Sequence, residues 1–455
     1  MKKKIISVSD YSKQYLIQIK RLFSSGQNSL RSLSFFAIAA FLFAILLLGG
    51  CDLADSTDDD ETQQQFHVSE AEAAQVAENV LFPEEPARPE APRQLTAGDF
   101  TLQKDVDSIT PLENDEGENV MYIVNYHEEG FVVLSADKRV EPVLAYSATN
   151  EFEIRADIYN PGLVNWVMTT TEFIEDVRRE EGEPGRHMMM IWDSFLDIPT
   201  DVYYLGVLEF CNEDGYAVMT GPLVETEWGQ GCGYNDHLPD NSCPDDDHRC
   251  NRYPTGCVAT AMAQIAKYWA DLSGLEIFYE KDDGAVFHNW DAMPTQLHDE
   301  GESEEVARLM RNMGTLVDMD YGCDGSAAFS SAVFGPNAYD EFVDNFGFSN
   351  AKKRDLESAS DYDRLIAEIE DYGRPVYMRG CDVMEPGFFL DSYDDCHAWI
   401  ADGTSERINC LGDVIEGTFE VLMNWGWNGQ QDGEFRIKGK GGDYEYDQSM
   451  IYDLF

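Results

Sequence analysis

The sequence has few basic residues for its length, and this scarcity limits the partners that the protein could bind. Its 455 residues contain 32 Lys and Arg against 86 Asp and Glu, a formal net charge of −54. Binding to nucleic-acid phosphates needs clustered Lys and Arg, so the composition argues against DNA and RNA as partners. The sequence also contains neither an internal repeat nor a glycine-rich phosphate-binding loop.

A long uncharged apolar run lies near the amino terminus, from Leu33 to Gly50, and basic residues precede it. A basic flank, an apolar run and small residues at its end are typical of an export signal. The run is also just long enough to anchor as a transmembrane helix. Leu48-Gly49-Gly50-Cys51 resembles the bacterial lipoprotein box, which implies acylation of Cys51 and a lipid anchor in the membrane. Simple secretion is the alternative.

The rest of the chain divides into four predicted segments. Residues 52–65 are predicted to be an acidic, disordered tether. Residues 66–180 show an amphipathic helix pattern, then two apolar runs on either side of His127 to Gly130 that predict a hairpin, and a further strand, which together predict a small α+β domain. Residues 181–220 begin with a charged Gly and Pro segment and are predicted to be a linker, although Ile191 to Tyr204 is apolar enough to dock. Residues 221–455 are predicted to be the second domain.

In this second domain, Cys257 directly precedes a helical pattern and is the candidate nucleophile. Apolar residues recur at helical spacing after it, and Lys267 is the only charged residue up to Trp269, which predicts a buried helix. At the amino end of a helix, free backbone N–H groups and the macrodipole favour thiolate over thiol. Gly256 keeps the approach to the sulfur open.

A base and an orienting group follow in the same domain. His397 lies in a short apolar strand that is expected to turn at Asp402-Gly403, and Asn424 follows a further strand. The chain order Cys, His, Asn and the separation of 140 residues between Cys257 and His397 are typical of papain-type peptidases. Each residue alone is more often structural, a disulfide half, a core histidine or a turn residue. Their combination favours a catalytic site, with Gln230 as a fourth candidate.

Several motifs together resemble the streptopain-like cysteine peptidases of the papain-like clan, over roughly Leu223 to Phe435. The motifs are Trp228-Gly229-Gln230 with Tyr234-Asn235, Thr255 to Gln264, Tyr321-Gly322 with Ser326-Ala327, Arg374 to Tyr377 with Gly380, His397-Ala398 with Asp402-Gly403, and Asn424 to Trp427 with Asp432-Gly433. The resemblance implies a papain-like α+β catalytic domain of two lobes that hydrolyses peptide bonds in proteins or peptides without a cofactor or metal.

The resemblance also implies a role for each matching residue. Cys257 would be the nucleophile, His397 the general base and then acid, and Asn424 the residue that orients His397. Gln230 would donate to the oxyanion together with the Cys257 backbone N–H, and Trp425 would shield the contact between His397 and Asn424 from water. The residues expected to line the substrate cleft are Gly256, Ser326 and Ala327.

The first domain resembles the streptopain prodomain, which also occurs as a separate inhibitor. Gly130 to Asp137 and Glu141 to Tyr146 carry this resemblance. It implies an intramolecular partner that keeps the peptidase latent until a cut within residues 181–220. Two alternatives remain open: a catalytically silent surface protein that binds or inhibits another peptidase, and an amidase or transferase that uses the same residues.

The ten cysteines fit an exported protein. Without Cys51 and Cys257, eight remain for up to four disulfides, and Cys243 with Cys250 is the expected local bridge. The same loop offers rival metal ligands, zinc at its Cys and His residues or calcium at Asp245 to Asp247, but the spacing matches no standard zinc finger. Cys396 stands where the family usually has glycine; if unpaired, its thiol could cap Cys257.

Overall fold

The computed structural model describes residues 6–7, 65–83, 93–96, 99–114, 116–127, 129–152, 161–180, 182–196, 216–239, 250–273, 279–281, 284–323, 325–329, 336–356, 358–385, 392–408, 419–437 and 448–455. The export signal from residue 8 onward, the lipidation site Cys51 and nearly all of the acidic tether fall outside these residues. In the part of the chain that is described, no helix has the length and apolar character needed to cross a bilayer.

The described residues of the amino-terminal region form eight strands and three helices. The strands are β1 (Ile6–Ser7), β2 (Leu81–Pro83), β3 (Arg93–Thr96), β4 (Phe100–Gln103), β5 (Val106–Glu113), β6 (Asn119–Tyr126), β7 (Phe131–Ser135) and β8 (Val143–Ser147). The helices are α1 (Glu70–Asn79), α2 (Pro161–Arg179) and α3 (Arg186–Leu196). The predicted amphipathic helix and the hairpin of β6 and β7 are confirmed. Ser69 and Glu72 form a capping box that begins α1.

The carboxy-terminal region begins with a strand and continues through helices into a sheet. Its strands are β9 (Tyr216–Thr220), β10 (Tyr279–Lys281), β11 (Gly284–Val286), β12 (Lys352–Asp355), β13 (Val376–Glu385), β14 (Ser392–Ile408), β15 (Glu420–Asn424), β16 (Gly433–Arg436) and β17 (Ser449–Tyr452). Its helices are α4 (Cys257–Ser273), α5 (Glu304–Leu316), α6 (Ala338–Asp344) and α7 (Ala359–Glu370), with a 3₁₀ turn at Trp290–Ala292.

One sheet runs through both regions. Its strand order is β1-β5-β6-β7-β8-β16-β15-β14-β13-β17-β12, and β9 pairs with β14 while β3 pairs with β9. The two regions join where β8 pairs antiparallel with β16, with Tyr146 opposite Glu434 and Ala145 opposite Phe435. The observed mixture of helices and sheet confirms the predicted α+β class.

Three apolar clusters stabilise this arrangement. One surrounds α4 with α5 and α6, and another fills the amino-terminal region between α1, α3 and the strands. The third spans the junction, because Leu163, Trp166 and Val167 of α2 pack with residues from β6 and β7 and from β13 to β16. Apolar burial is the main favourable term in folding, so this shared core couples the two regions.

One sequence prediction needs correction. The strand that carries His397 does not end at Asp402-Gly403; β14 continues to Ile408, with a bulge between Ala401 and Gly403 that lets pairing with β15 resume. Within the predicted linker, α3 docks as its apolar residues led us to expect. It buries Ile191, Trp192 and Phe195, and the Trp192 indole N–H donates to the Val140 carbonyl at 2.9 Å.

Candidate active site

Cys257 is the first residue of α4, as its position in the sequence predicts. Gly256 precedes it with a φ of +91°, a left-handed conformation that favours glycine. A Cβ at Gly256 would also stand 2.7 Å from Met319 Cε and 3.1 Å from the Ser326 carbonyl oxygen. Glycine therefore allows both the sharp turn and the close packing that place the sulfur at the amino end of the helix.

The Cys257 side chain is a free thiol, the one free cysteine in the described residues. Burial raises its pKa, and hydrogen bonds from the backbone of Ala398, Val258 and Cys257 itself act in the opposite direction. The Ala398 contact is informative because this residue follows His397 directly. It places the sulfur beside the strand that carries the imidazole.

His397 is buried in β14, and its ring bonds to the backbone. Nε2 lies 3.1 Å from the Trp425 carbonyl oxygen. A carbonyl can only accept, so this bond puts the ring proton on Nε2 and leaves Nδ1 as an acceptor. The pKa of His397 is lowered to about 4 because burial outweighs the hydrogen bond to Trp425, which acts in the opposite direction. Together with the raised pKa of Cys257, this describes a neutral thiol and a neutral imidazole. The thiolate expected from the helix position is therefore not favoured here, because burial outweighs the backbone N–H groups.

Asn424 does not occupy the place beside His397 that the sequence led us to expect. Its Nδ2 donates to the Thr226 carbonyl at 2.8 Å, and its Oδ1 accepts from Gln264 Nε2 at 3.1 Å and from the Gly426 N–H at 3.3 Å. The Trp425 carbonyl takes the expected place instead. The physical reason is that the Asn424 amide has buried backbone partners in fixed positions, at the end of β15.

Gln230 lies near the nucleophile turn. Its carbonyl accepts from the Thr255 N–H at 3.0 Å, which ties its loop to the residues just before Cys257. The side chain is buried, and its Nε2 has no hydrogen-bond partner among the described residues. A buried amide donor without an acceptor is costly, and such a donor is what an oxyanion hole needs.

Ser326 and Ala327 also lie close to the nucleophile turn. The Ser326 hydroxyl donates to the Pro254 carbonyl at 2.7 Å, and Ala327 exchanges backbone hydrogen bonds with Asp320 at 2.9 and 3.0 Å. This segment therefore forms one wall beside Gly256, where the sequence predicted the substrate cleft.

Aromatic rings enclose the imidazole. Trp399 and Trp427 lie nearly parallel to His397, with ring centroids 6.2 and 6.5 Å away. The buried Trp425 ring packs against Trp399 at 5.4 Å and Phe435 at 5.2 Å. These apolar rings exclude water, which accounts for the lowered pKa of His397.

Helix α2 of the amino-terminal region covers this site. A Cβ at Gly162 would stand 2.8 Å from His397 Cδ2 and 2.7 Å from Trp425 Cζ3, so the helix backbone touches both rings. Nearby, the Asn150 side-chain amide donates to the Asp432 carbonyl at 2.9 Å, and the Trp166 indole donates to the Arg436 carbonyl at 2.9 Å. The amino-terminal region thus lies directly over the candidate base.

An ion pair with low exposure joins the same two regions. The Arg436 guanidinium contacts the Glu141 carboxylate, and the Glu420 carboxylate lies 3.5 Å away. Burial lowers the pKa of Arg436 to about 9. Beside it on β16, burial and the charge of Glu420 raise the pKa of Glu434 to about 8. Charged and titrating groups therefore lie in the contact between the two regions.

The cysteines pair differently from the sequence prediction. Cys232 bonds to Cys250, with Cα atoms 5.3 Å apart, so the expected bridge between Cys243 and Cys250 is wrong. The turn after Cys232 folds back, and the Asn235 side chain donates to the Tyr253 carbonyl at 3.1 Å; this brings Cys232 to Cys250. The same bond removes both sulfurs from the alternative zinc site. Cys396 is disulfide-bonded, so it has no free thiol to cap Cys257.

Sequence reasoning gave no role to several residues that the structure brings to the site. Gln264 and Asp432 both stood within recognised motifs, but their side-chain partners could not be deduced from spacing. The Trp425 N–H donates to Asp432 at 2.8 Å, and Gln264 bonds to Asn424 and Trp228. Gly162 lies in the other region and had no motif at all.

Comparisons with known proteins agree with this geometry. Residues 228–435 match the model of the Peptidase C10 family, and residues 65–174 match the model described as Spi protease inhibitor. Streptopain of Streptococcus pyogenes is 26% identical over 422 residues, which cover 87% of this chain and 90% of streptopain. The thiol protease/hemagglutinin PrtT of Porphyromonas gingivalis is 25% identical and aligns over 85% of this chain and 42% of its own length.

A solved structure shares the fold. A fragment of prointerpain A from Prevotella intermedia superposes with a TM-score of 0.50 at 22% identity and covers 76% of this chain and 98% of the fragment.

Proposed function

We propose that this chain, a streptopain-like cysteine endopeptidase of the Peptidase C10 family with a streptopain-type prodomain, is an exported zymogen. Its proposed catalytic pair is Cys257 and His397. The observation that carries this proposal is the free Cys257 at the amino end of α4, hydrogen-bonded by Ala398 beside His397. A nucleophile with an adjacent base is the general requirement for covalent acyl transfer.

The reaction would proceed in two halves. His397 Nδ1 takes the proton of Cys257, and the sulfur attacks the peptide carbonyl, forming the C–S bond while negative charge develops on oxygen. Gln230 Nε2 and the Cys257 N–H stabilise that charge. The imidazolium then protonates the leaving amine as the C–N bond breaks. Water, deprotonated by His397, attacks the thioester and releases the acid and the thiol.

We assign the orientation of His397 to the Trp425 carbonyl rather than to the Asn424 side chain. The carbonyl accepts from Nε2 and fixes the tautomer that leaves Nδ1 free to act as base. Asn424 remains a part of the site through Gln264 and the Thr226 carbonyl. Gly256, Ser326 and Ala327 are proposed to line the substrate cleft.

The amino-terminal region would keep the enzyme latent. Helix α2 contacts His397 and Trp425, while the pairing of β8 with β16 extends the sheet across the junction. A proteolytic cut within residues 181–220 would release this cover. Water and substrate would then reach the imidazole, and its pKa would rise from the buried value toward its ordinary range.

The test is to treat the purified full chain with an irreversible thiol-peptidase probe before and after limited proteolysis. We expect labelling of Cys257 after proteolysis only, located by mass spectrometry, and loss of peptide hydrolysis in Cys257→Ala without loss of folding. Retained hydrolysis in that variant would overturn the assignment. A folded, reduced chain that is never labelled would favour the alternative of a silent binding or inhibitor protein.

Export and a lipid anchor at Cys51 are proposed from the basic flank, the apolar run and the residues Leu48 to Cys51. The anchor would hold the enzyme at the cell envelope by its acyl chains. We expect the mature amino-terminal peptide to begin at an acylated Cys51, measured by mass spectrometry, and Cys51→Ala to release the protein from membranes. A mature terminus elsewhere, without an acyl chain, would support secretion instead.

A further inference from the structure

Gln264 joins three parts of the candidate active site through one buried side chain. It lies on α4, on the helix that begins with Cys257, and has no solvent exposure. Its Oε1 accepts from the Trp228 N–H at 3.0 Å, and its Nε2 donates to Asn424 Oδ1 at 3.1 Å. Asn424 Nδ2 also approaches Gln264 Oε1, at 3.3 Å.

Backbone groups fix the orientation of both amides. The Trp228 N–H can only donate, so the atom of Gln264 that faces it must be the oxygen. The Thr226 carbonyl can only accept from Asn424 Nδ2 at 2.8 Å, and the Gly426 N–H can only donate to Asn424 Oδ1 at 3.3 Å. Neither amide can rotate without losing a buried bond.

The partners of this amide pair lead to the reacting groups. Trp228 and Thr226 belong to the segment that ends at Gln230, whose buried Nε2 is without a partner in the described structure. Asn424 precedes Trp425, whose carbonyl bonds to His397. Gln264 therefore lies between the proposed oxyanion donor and the acceptor that orients the base.

We infer that Gln264 is a positioning residue that sets the Gln230 segment and the Asn424-Trp425 segment in register with Cys257. This inference rests on the proposed peptidase function. Gln264 itself touches neither substrate nor reacting atoms; it acts by holding both segments at the helix that carries the nucleophile. A small displacement of a catalytic group costs about 100-fold in rate, and the loss of one buried amide would permit such a displacement.

The first test replaces Gln264 with Met in the full chain after limited proteolysis. Met keeps the volume and removes both hydrogen bonds. We expect kcat to fall about 100-fold with KM nearly unchanged. Iodoacetamide should alkylate Cys257 more slowly than in wild type but with a smaller loss than kcat, because alkylation needs the base His397 and no oxyanion hole. The matched control is Lys267→Met, which removes a buried polar group of the same helix that bonds to Asp271.

The second test is Gln264→Glu, whose effect should depend on pH. A protonated carboxyl can still accept from the Trp228 N–H and donate to Asn424 Oδ1, as the native amide does. An ionised carboxylate would face that Oδ1 as a second acceptor, with Asn424 held in place. The ratio of kcat in this variant to wild-type kcat should therefore be highest in acid and fall as the pH rises. A packing role alone would give a ratio independent of pH.

The outcomes separate this inference from the proposed function. If wild-type protein hydrolyses peptides and Gln264→Met behaves like Lys267→Met, or if the Gln264→Glu ratio does not change with pH, the positioning role is wrong and the peptidase assignment stands. If processed wild-type protein neither hydrolyses peptides nor reacts at Cys257, the proposed function itself fails.

Discussion

Gly162 of the amino-terminal region lies directly against His397, so close that a Cβ on Gly162 would stand 2.8 Å from the imidazole Cδ2. The contact links the proposed base, His397, to the amino-terminal region that is proposed to restrain it.

Gly162→Ala should therefore weaken the latent arrangement. Alanine favours the helical backbone, but its methyl group would overlap His397 and Trp425, and overpacking costs about 1 to 3 kcal/mol. The unprocessed chain should then label at Cys257 about 5 to 150 times faster than wild type. Gly182→Ala is the control, because nothing lies within 4 Å of a Cβ there. Equal labelling rates in both variants would show that α2 does not restrain the site.

The ion pair between Glu141 and Arg436 should contribute to docking. Glu141→Gln would remove the carboxylate that contacts a largely buried guanidinium and leave Glu420 at 3.5 Å, and breaking a buried pair costs about 3 kcal/mol or more. We expect the unprocessed Cys257→Ala chain to unfold at lower urea concentration when it carries Glu141→Gln. Glu116→Gln, on the exposed surface, should not change the midpoint. A combined Glu141→Gln, Arg436→Met chain should recover only part of the loss, because it removes the uncompensated guanidinium but also the cation beside Glu420.

The stability of the latent chain should fall as the pH rises toward 8. The pKa of Glu434 is raised to about 8 by burial and by Glu420, above its ordinary value of about 4.3. Between these pH values the unfolded chain releases the proton while the folded chain keeps it. The free energy of unfolding therefore falls as the pH rises across this window. Thermal unfolding of Cys257→Ala should show this decline, and Glu434→Gln should reduce its slope. An unchanged slope in Glu434→Gln would mean that this carboxyl does not titrate as described.

Most of the fold that positions the site was predictable from local patterns. The buried helix after Cys257 followed from apolar spacing, and the hairpin of β6 and β7 followed from two alternating runs around Gly130. The full length of β14 was not predictable, because Asp402-Gly403 in the sequence alone indicates a turn as readily as a bulge within a strand. The sheet that joins β8 to β16 depends on residues almost 300 positions apart, and no local pattern encodes that pairing.

The sequence nominated the candidate site residues but did not reveal their bonding. Motifs selected Cys257, His397 and Gln230 because each residue type suits a chemical role, and their roles remain predictions. They misled on Asn424, because the choice between its side chain and the next carbonyl depends on side-chain geometry at the end of β15. Buried amides such as Gln264 carry no sequence signal of their own, since their role is defined by the backbone groups that they meet.

The disulfide between Cys232 and Cys250 should stabilise the loop beside the nucleophile turn. The two cysteines are separated by 18 residues, and closing a loop of that size restricts the unfolded chain by about 3 kcal/mol. Replacing both with Ser should lower the free energy of unfolding by about that amount, measured by urea denaturation without reductant. Cys243→Ser alone should have almost no effect through this bridge. If Cys243→Ser were as destabilising as the double variant, and a peptide map linked Cys243 to Cys250, the pairing expected from sequence would be restored.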